Sequence, residues 1–162
     1  MKKLAVCLFG TLLSSCAATG PQFSGDANSI PGYAVVYVYS LNNDKTTHVY
    51  IDDHRESLGD YGYLEFQLEE GDYEILIRDG LLGVSLGGDD QRATISAKPG
   101  ESYFFKAYQS RFVNYMGEYS YTAKLGTIDP KIALLEMKYT KKAKQNSVYL
   151  GADGPLPEQA SL

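Results

Sequence analysis

Two histidines and the acids near them are the first side chains whose types could do chemistry. His48 precedes a short stretch in which Asp52, Asp53 and His54 follow one another. Imidazole nitrogens and carboxylate oxygens bind zinc, but three ligands so close in sequence usually need another from elsewhere in the chain. A polar hairpin tip accounts for the same residues, and the spacing favours it over a metal site.

Other groups with possible chemistry give weaker signals. Residues 87–90 offer two carboxylates to a hard cation such as calcium, but they lack the oxygen spacing of an EF-hand loop and are typical of a solvated turn. Glu69 and Glu70 are adjacent, whereas glycosidases need two carboxylates that face each other across a cleft. The sequence contains no His-Glu-x-x-His motif and no phosphate-binding loop. We therefore predict a protein without catalytic residues, metal or cofactor.

The amino terminus contains the remaining reactive side chain, the thiol of Cys16. Lys2 and Lys3 precede an apolar run at residues 4–13, and two small residues then lead to the cysteine. An apolar run of about ten residues spans about 15 Å as a helix, which is too short for a hydrocarbon core of about 30 Å. The pattern predicts a signal peptide at residues 1–15 rather than a permanent membrane span.

The tetrad that ends this segment, Leu13-Ser14-Ser15-Cys16, resembles the lipobox of bacterial lipoproteins. In that family the thiol takes a diacylglycerol, the signal is cut before the cysteine, and the new amine is often acylated. The resemblance implies lipidation of Cys16 and stable attachment to a lipid bilayer, because two or three acyl chains suffice for anchoring. Ala17 after the cysteine implies the outer membrane, with the domain in the periplasm or exposed at the surface. A plain secreted protein is the alternative.

Loss of the signal would leave a thiol-free, acidic chain, since Cys7 would be removed and Cys16 modified. Removing Lys2 and Lys3 changes the net charge from −5 to about −7, which argues against a nucleic-acid partner. Residues 16–32 are rich in small and polar residues and predict a flexible tether. One domain is expected over residues 33–150, and residues 151–162 are expected to be a disordered tail.

The domain shows the period-two alternation of β-strands. Leu64, Phe66 and Leu68 alternate with polar residues, and a turn at residues 70–72 predicts a hairpin with the next strand. Residues 33–40 are apolar on both faces, which predicts a central strand. The fold class predicted is mainly β, a single antiparallel β-sandwich. Its strands are expected at residues 33–40, 46–52, 64–68, 73–78, 91–97, 102–109 and 119–127.

One segment near the carboxyl end follows a helical period instead. Asp129 and Pro130 are typical of an N-cap and a first helical residue. Ile132, Leu135 and Tyr139 then follow a helical stripe, which predicts one C-terminal amphipathic helix that packs against the sandwich and ends near residue 144. A strand at residues 134–140 is the alternative.

Tyrosine is unusually abundant, with 14 residues in the chain and no tryptophan. Alternation places Tyr103 and Phe105 on one face of their strand and Phe104 and Tyr108 on the other. One of the two sets must lie outside the main core, and we expect that set to lie beneath the C-terminal helix. Tyrosine suits half-buried strands, so an ordinary structural role is favoured. The best candidates for contact with a partner, either an envelope protein or cell-wall glycan, are Tyr108, Tyr115 and Met116.

Three further segments resemble a family of small bacterial lipoproteins that have a PEGA-like or carboxypeptidase-regulatory-like sandwich and no assigned function. They are residues 20–23, residues 49–59 and residues 63–73, although Asp53 stands where the family has Gly and Glu70 where it has Pro. The resemblance implies fold and location, and no catalytic residue. The function predicted is a non-catalytic, membrane-tethered binding or scaffolding domain of the cell envelope. The alternative is an envelope hydrolase or metal-dependent enzyme that uses His48, His54 and nearby acids.

Overall fold

The computed structural model describes residues 18–42, 46–79, 91–113, 116–146 and 148–151. This part of the chain forms ten strands and one helix. In chain order they are β1 Ala34–Tyr39, β2 Thr47–Ile51, β3 His54–Leu58, β4 Gly62–Leu68, β5 Gly71–Asp79, β6 Gln91–Ala97, β7 Ser102–Val113, β8 Tyr119–Thr127, α1 Pro130–Met137, β9 Lys141–Lys142 and β10 Tyr149–Leu150.

The strands form two sheets, which confirms the predicted mainly-β, sandwich-like fold. The first sheet has the order β10-β4-β1-β7-β8, with β9 paired to β4, and the second has the order β3-β2-β5-β6. β1 lies in the middle of the first sheet, as its apolar residues on both faces predict. Val36 and Val38 belong to the core between the sheets, whereas Tyr37 and Tyr39 belong to a second core on the outer face.

The first sheet is mixed rather than purely antiparallel. β1 pairs with β4 in antiparallel orientation but with β7 in parallel, and β9 and β10 also run parallel to β4. Parallel neighbours need a long connection. The chain provides one here, because it passes through the second sheet between β1 and β7.

The turn at residues 70–72 was predicted to close a hairpin, and this prediction is wrong. β4 belongs to the first sheet and β5 to the second, so the short connection between them crosses from one sheet to the other. β4 already has β1 and β10 as neighbours, which leaves β5 no free edge there. The hairpins that do form are β2–β3, β5–β6 and β7–β8.

Helix α1 begins where the sequence predicts and ends earlier. The carboxylate of Asp129 accepts a hydrogen bond from the Lys131 N–H at 2.9 Å, and Pro130 occupies the first turn. The prediction of a helix to residue 144 is wrong, because the chain turns at Thr140 and pairs with β4 as β9. The predicted apolar stripe is also wrong. The helix buries Ala133 and Met137, and leaves exposed the three stripe residues Ile132, Leu135 and Tyr139.

Residues 18–30 lie against the domain, in contrast to the flexible tether predicted from their composition. Phe23 is buried and meets the rings of Tyr37 and Tyr63 edge-on, at centroid distances of 5.8 and 5.5 Å. The backbone N–H groups of Gly20 and Phe23 donate to carbonyls of residues 140–142 at 3.0 and 3.1 Å. One buried aromatic ring and these backbone hydrogen bonds hold a segment that has no apolar periodicity. No helix among the described residues is long and apolar enough to span a membrane.

Candidate functional site

The two histidines lie on opposite faces of the second sheet. The β2–β3 register pairs His48 with Ser57 and Ile51 with His54. Cross-strand partners share a face and successive residues alternate, so His48 and Ser57 point away from the face that carries Ile51 and His54. The structure therefore does not bring the predicted pair of imidazoles into one site.

His48 is used within the sheet. One guanidinium nitrogen of Arg55 lies 3.1 Å from its Nδ1, and the Ser57 hydroxyl lies 3.3 Å from the same atom. All three residues belong to the β2–β3 hairpin, so these contacts link neighbouring strands. These contacts explain why an imidazole ring lies on the outer face of the second sheet, and no ligand is needed to explain it.

His54 is the first residue of β3 rather than part of the predicted turn. Its Nε2 lies 3.0 Å from a carboxylate oxygen of Glu56, which is buried and also accepts a hydrogen bond from the backbone N–H of Asn146 at 2.7 Å. Asp52 and Asp53 are exposed in the turn, where Asp52 accepts from the backbone N–H of Glu74 at 3.0 Å. Within the described ranges, no three His, Cys, Asp or Glu side chains are arranged to hold a metal ion.

The prediction of a chain without catalytic motifs overlooks one short pattern. Residues 83–87 have the spacing Gly-x-Ser-x-Gly of a nucleophile elbow. An elbow needs a strand before it and a helix after it, whereas the elements on either side here are β5 and β6, which pair as antiparallel strands. Residues 83–87, like the possible calcium loop at residues 87–90, lie outside the described part of the chain.

A polar cleft of about 620 Å³ lies beside the start of the described chain. Arg55, Glu56 and Ser57 of β3 form one wall, and residues 143–146 form another. Ala18 and Thr19 also line it. Because Glu56 is bonded to His54 and to Asn146, its carboxylate fixes two walls of this cleft to each other.

A second polar cluster, which the sequence did not predict, lies beneath α1. The Tyr39 hydroxyl donates to Glu136 at 2.5 Å, and the ammonium group of Lys106 lies 2.8 Å from the other oxygen of the same carboxylate. Burial and the bond to Glu136 raise the pKa of Tyr39 well above its usual range. Burial would raise the pKa of Glu136, but the bonds from Lys106 and Tyr39 outweigh it and lower that pKa. The cluster fastens the helix to β1 and β7, and strand alternation, which points Tyr39 outward, was the one signal for it.

The predicted contact residues lie on or near a projecting hairpin. Beyond Lys106, its last partner for β1, strand β7 continues to Val113 and pairs with β8. We call residues 110–122 the arm. Met116 is 67 % exposed in the turn of the arm, Tyr108 is 44 % exposed at its base, and Tyr115 lies outside the described residues. Val113 and Tyr119, which the sequence did not single out, are exposed cross-strand partners beside Met116.

No protein-family model and no curated protein matches the chain. The functional proposal for it therefore depends on its own residues. Those that carry most are the lipobox-like tetrad, the docked segment that follows it and the exposed apolar tip of the arm.

Proposed function

We propose that this protein is a lipid-anchored, non-catalytic binding domain of the bacterial cell envelope, acylated at Cys16 and attached to the outer membrane. The observation that carries the proposal is the order of features at the amino terminus. Two lysines, an apolar run and the tetrad that ends at Cys16 precede a folded β-domain. Only Ala17 separates Cys16 from the first residue that contacts that domain.

The positions of the polar residues support a binding role over the enzyme alternative. An enzyme that uses both histidines needs them to face one site, and the sheet holds them on opposite faces. Glu56, the buried acid nearest to His54, already receives hydrogen bonds from residues on two sides. In the arrangement that the structure shows, the two histidines and Glu56 stabilise the edge of the sandwich.

The arm supports the binding role directly. Val113, Met116 and Tyr119 expose apolar surface at the end of the β7–β8 hairpin. Exposed apolar clusters of this kind mark contact sites in soluble domains, and tyrosine adds a hydroxyl that can bond a polar partner. The partner we propose is an envelope protein or cell-wall glycan.

Substitution of the lipidated cysteine tests the anchor. We expect Cys16→Ser to abolish incorporation of labelled palmitate and to release the protein from the membrane fraction, because the thiol that takes the lipid is absent. The matched control is Cys7→Ser, which removes the other cysteine and leaves labelling and membrane attachment unchanged. A Cys16→Ser protein that still incorporates palmitate would contradict the proposal.

A further inference from the structure

The chain between the lipid site and the folded domain is very short. Ala18 packs against the core between the sheets, and the N–H of Gly20 donates to the carbonyl of Lys142 at 3.0 Å. Since one residue spans at most about 3.6 Å, the Cα atom of Cys16 lies within about 7 Å of that of Ala18. An acylated Cys16 therefore holds this part of the domain at the bilayer, and the predicted long tether cannot lift it away.

The surface around Ala18 lies at one end of the first sheet. Here β1 finishes and β4 begins, with Ser40 donating its N–H to the carbonyl of Gly62 at 2.9 Å and Lys141 donating to Tyr61 at 2.9 Å. We call this surface, residues 59–62 and 138–144 together with Ala18, the anchor end. The opposite end of the sandwich, where β4 finishes and β1 and β7 begin, is the far end.

Exposed side chains at the anchor end have the chemistry of a membrane interface. Tyr61 is 48 % exposed and Tyr139 is 73 % exposed. Tyrosine is enriched at the level of lipid headgroups, because its ring is apolar and its hydroxyl polar. Both residues stand just before the segments of β4 and β9 that pair in parallel, which holds them at the same end of the sheet.

The two ends of the sandwich differ in charge, and the anchor end is basic although the chain as a whole is acidic. The anchor end exposes Lys138, Lys141 and Lys144, while Lys142 is paired with Glu65 at 3.1 Å and Asp60 contributes one acid. The far end carries exposed acids, namely Asp52, Asp53, Glu70, Asp72 and Glu101, and one exposed lysine, Lys98. Lysines within a few ångströms of a bilayer are attracted to anionic headgroups, whereas the acids of the far end are repelled.

We infer that the anchor end is a membrane-facing surface, with Tyr61 and Tyr139 at the level of the headgroups and Lys138, Lys141 and Lys144 against anionic lipids. The inference rests on the proposed lipidation of Cys16. It assigns the domain a fixed orientation, in which the acidic far end points away from the bilayer. The arm also leaves the first sheet at the anchor end, because β7 runs parallel to β1 and continues past Lys106, the partner of Tyr39. It belongs to β7 and β8, on the other side of β1 from β4, and none of its residues is among those of the anchor end.

Fluorescence quenching of the lipidated protein tests the orientation. The full chain carrying Tyr139→Cys is purified from membranes, labelled at the new thiol, and reconstituted into vesicles of phosphatidylcholine and phosphatidylglycerol that contain a headgroup-nitroxide lipid. Cys16 does not compete for the label, because acylation occupies its thiol. The matched control is Glu70→Cys, at an exposed site of the far end. We expect strong quenching at position 139 and a loss of most of that quenching at position 70.

Removing lysine charges distinguishes attraction of the anchor end to anionic lipid from simple proximity to the bilayer. In the Tyr139→Cys background, Lys141→Gln with Lys144→Gln removes two charges from the anchor end, and Lys98→Gln with Lys131→Gln removes two elsewhere. We expect quenching at position 139 to fall in the variant that lacks Lys141 and Lys144 and not in the variant that lacks Lys98 and Lys131. Raising the salt concentration should lower it in the Tyr139→Cys protein that keeps all its lysines, because screening weakens attraction to the headgroups.

Mass spectrometry of the same samples distinguishes the two levels of the proposal. If the protein carries the acyl mass but quenching at position 139 equals or falls below that at position 70, the lipid anchor stands and the membrane-facing surface is wrong. If the two lysine pairs behave alike, the lysines have no part in the seating and that element is overturned. If no acyl mass is present, the proposed function fails and the inference fails with it.

Discussion

Phe104 and Tyr108 lie on the same face of the same strand, yet one is 3 % exposed and the other 44 %. Phe104 stacks on Tyr37 at a centroid distance of 5.2 Å and belongs to the outer core. Tyr108 lies outside that core, across the hairpin from Gly126, where an added Cβ would meet its ring at 3.6 Å. Residue type and strand period therefore do not decide which aromatic side chains of β7 are buried.

The two positions differ in what packs over the outer face of the first sheet. Helix α1 contributes Ala133 and Met137 to the outer core, and the docked amino-terminal segment contributes Phe23. We call these three residues and the elements that carry them the cover. The Glu136 carboxylate meets Lys106 at the edge of this cover. Beyond Lys106 the strand loses β1 as a neighbour, and there Tyr108 is exposed.

The largest loss of stability should come from removing the buried ring of Phe104. We expect Phe104→Ala to reduce the free energy of unfolding by about 3–5 kcal/mol, because it leaves a cavity between β7 and α1. Tyr108→Ala, the matched change on the same face, should cost about 0.5 kcal/mol or less. Urea unfolding followed by circular dichroism measures both. Equal losses of stability would show that the cover does not account for the difference between positions 104 and 108.

A smaller loss is expected when the cover itself is weakened. Phe23→Ala removes the ring that sits on Tyr37 and Tyr63, and we expect it to cost about 2 kcal/mol, since the segment can detach and relieve part of the cavity. Hydrogen exchange of residues 20–28 should rise at the same time. Unchanged exchange in a destabilised protein would mean that the segment is held by its backbone hydrogen bonds alone.

The pH dependence of stability reports the edge of the cover. The folded-state pKa of Glu136 lies below its ordinary value, so its stabilising contribution is present above the unfolded pKa of about 4.3 and is lost as pH falls through the folded pKa. Glu136→Gln should therefore be less stable than the parent protein at neutral pH, by about 1 kcal/mol, and the difference should shrink below about pH 4. Denaturant unfolding at several pH values measures this. A difference independent of pH would contradict the ion pair.

The smallest stability effect is expected at the arm. Met116→Ser should change the free energy of unfolding by about 0.5 kcal/mol or less, because the side chain is exposed. A photoreactive residue at position 113 should nevertheless capture a specific envelope component, and Met116→Ser should reduce that capture. The same reagent at Lys98, on the far end, is the control. Identical capture at both positions would count against the arm as a contact site.

Much of the local structure could be predicted from sequence. Alternation at Leu64, Phe66 and Leu68 located β4, the two apolar faces of residues 33–40 gave a central strand, and Asp129 with Pro130 began the helix. Alternation also predicted that one of the two aromatic sets of β7 lies outside the main core, and Phe104 belongs to the outer core with Ala133 and Met137 of the helix. These features depend on residues near one another in the chain, where period and capping act directly.

Features that depend on distant partners were not predicted or were predicted wrongly. The turn before β5 has the residues of a hairpin, but whether two strands pair depends on which neighbours β4 already has. The helix has an apolar stripe at Ile132 and Leu135, yet Ala133 and Met137 face the sheet and belong to the outer core with Tyr37 and Phe104. Tyr108, on the same face of β7 as Phe104, lies outside that core.

The sequence alone determined the positions of seven of the ten described strands, the start of the helix and the single cysteine in a lipobox-like context. Tertiary structure decided that β1 and β7 pair in parallel, that the histidines face apart, and that the segment after Cys16 is bound rather than free. The first and the third depend on burial and hydrogen bonding between residues far apart in sequence, whereas the histidines face apart because of the register of the β2–β3 hairpin. The proposed lipidation of Cys16 gains a consequence from this, because an acylated cysteine next to the docked residues 18–30 would also orient the domain.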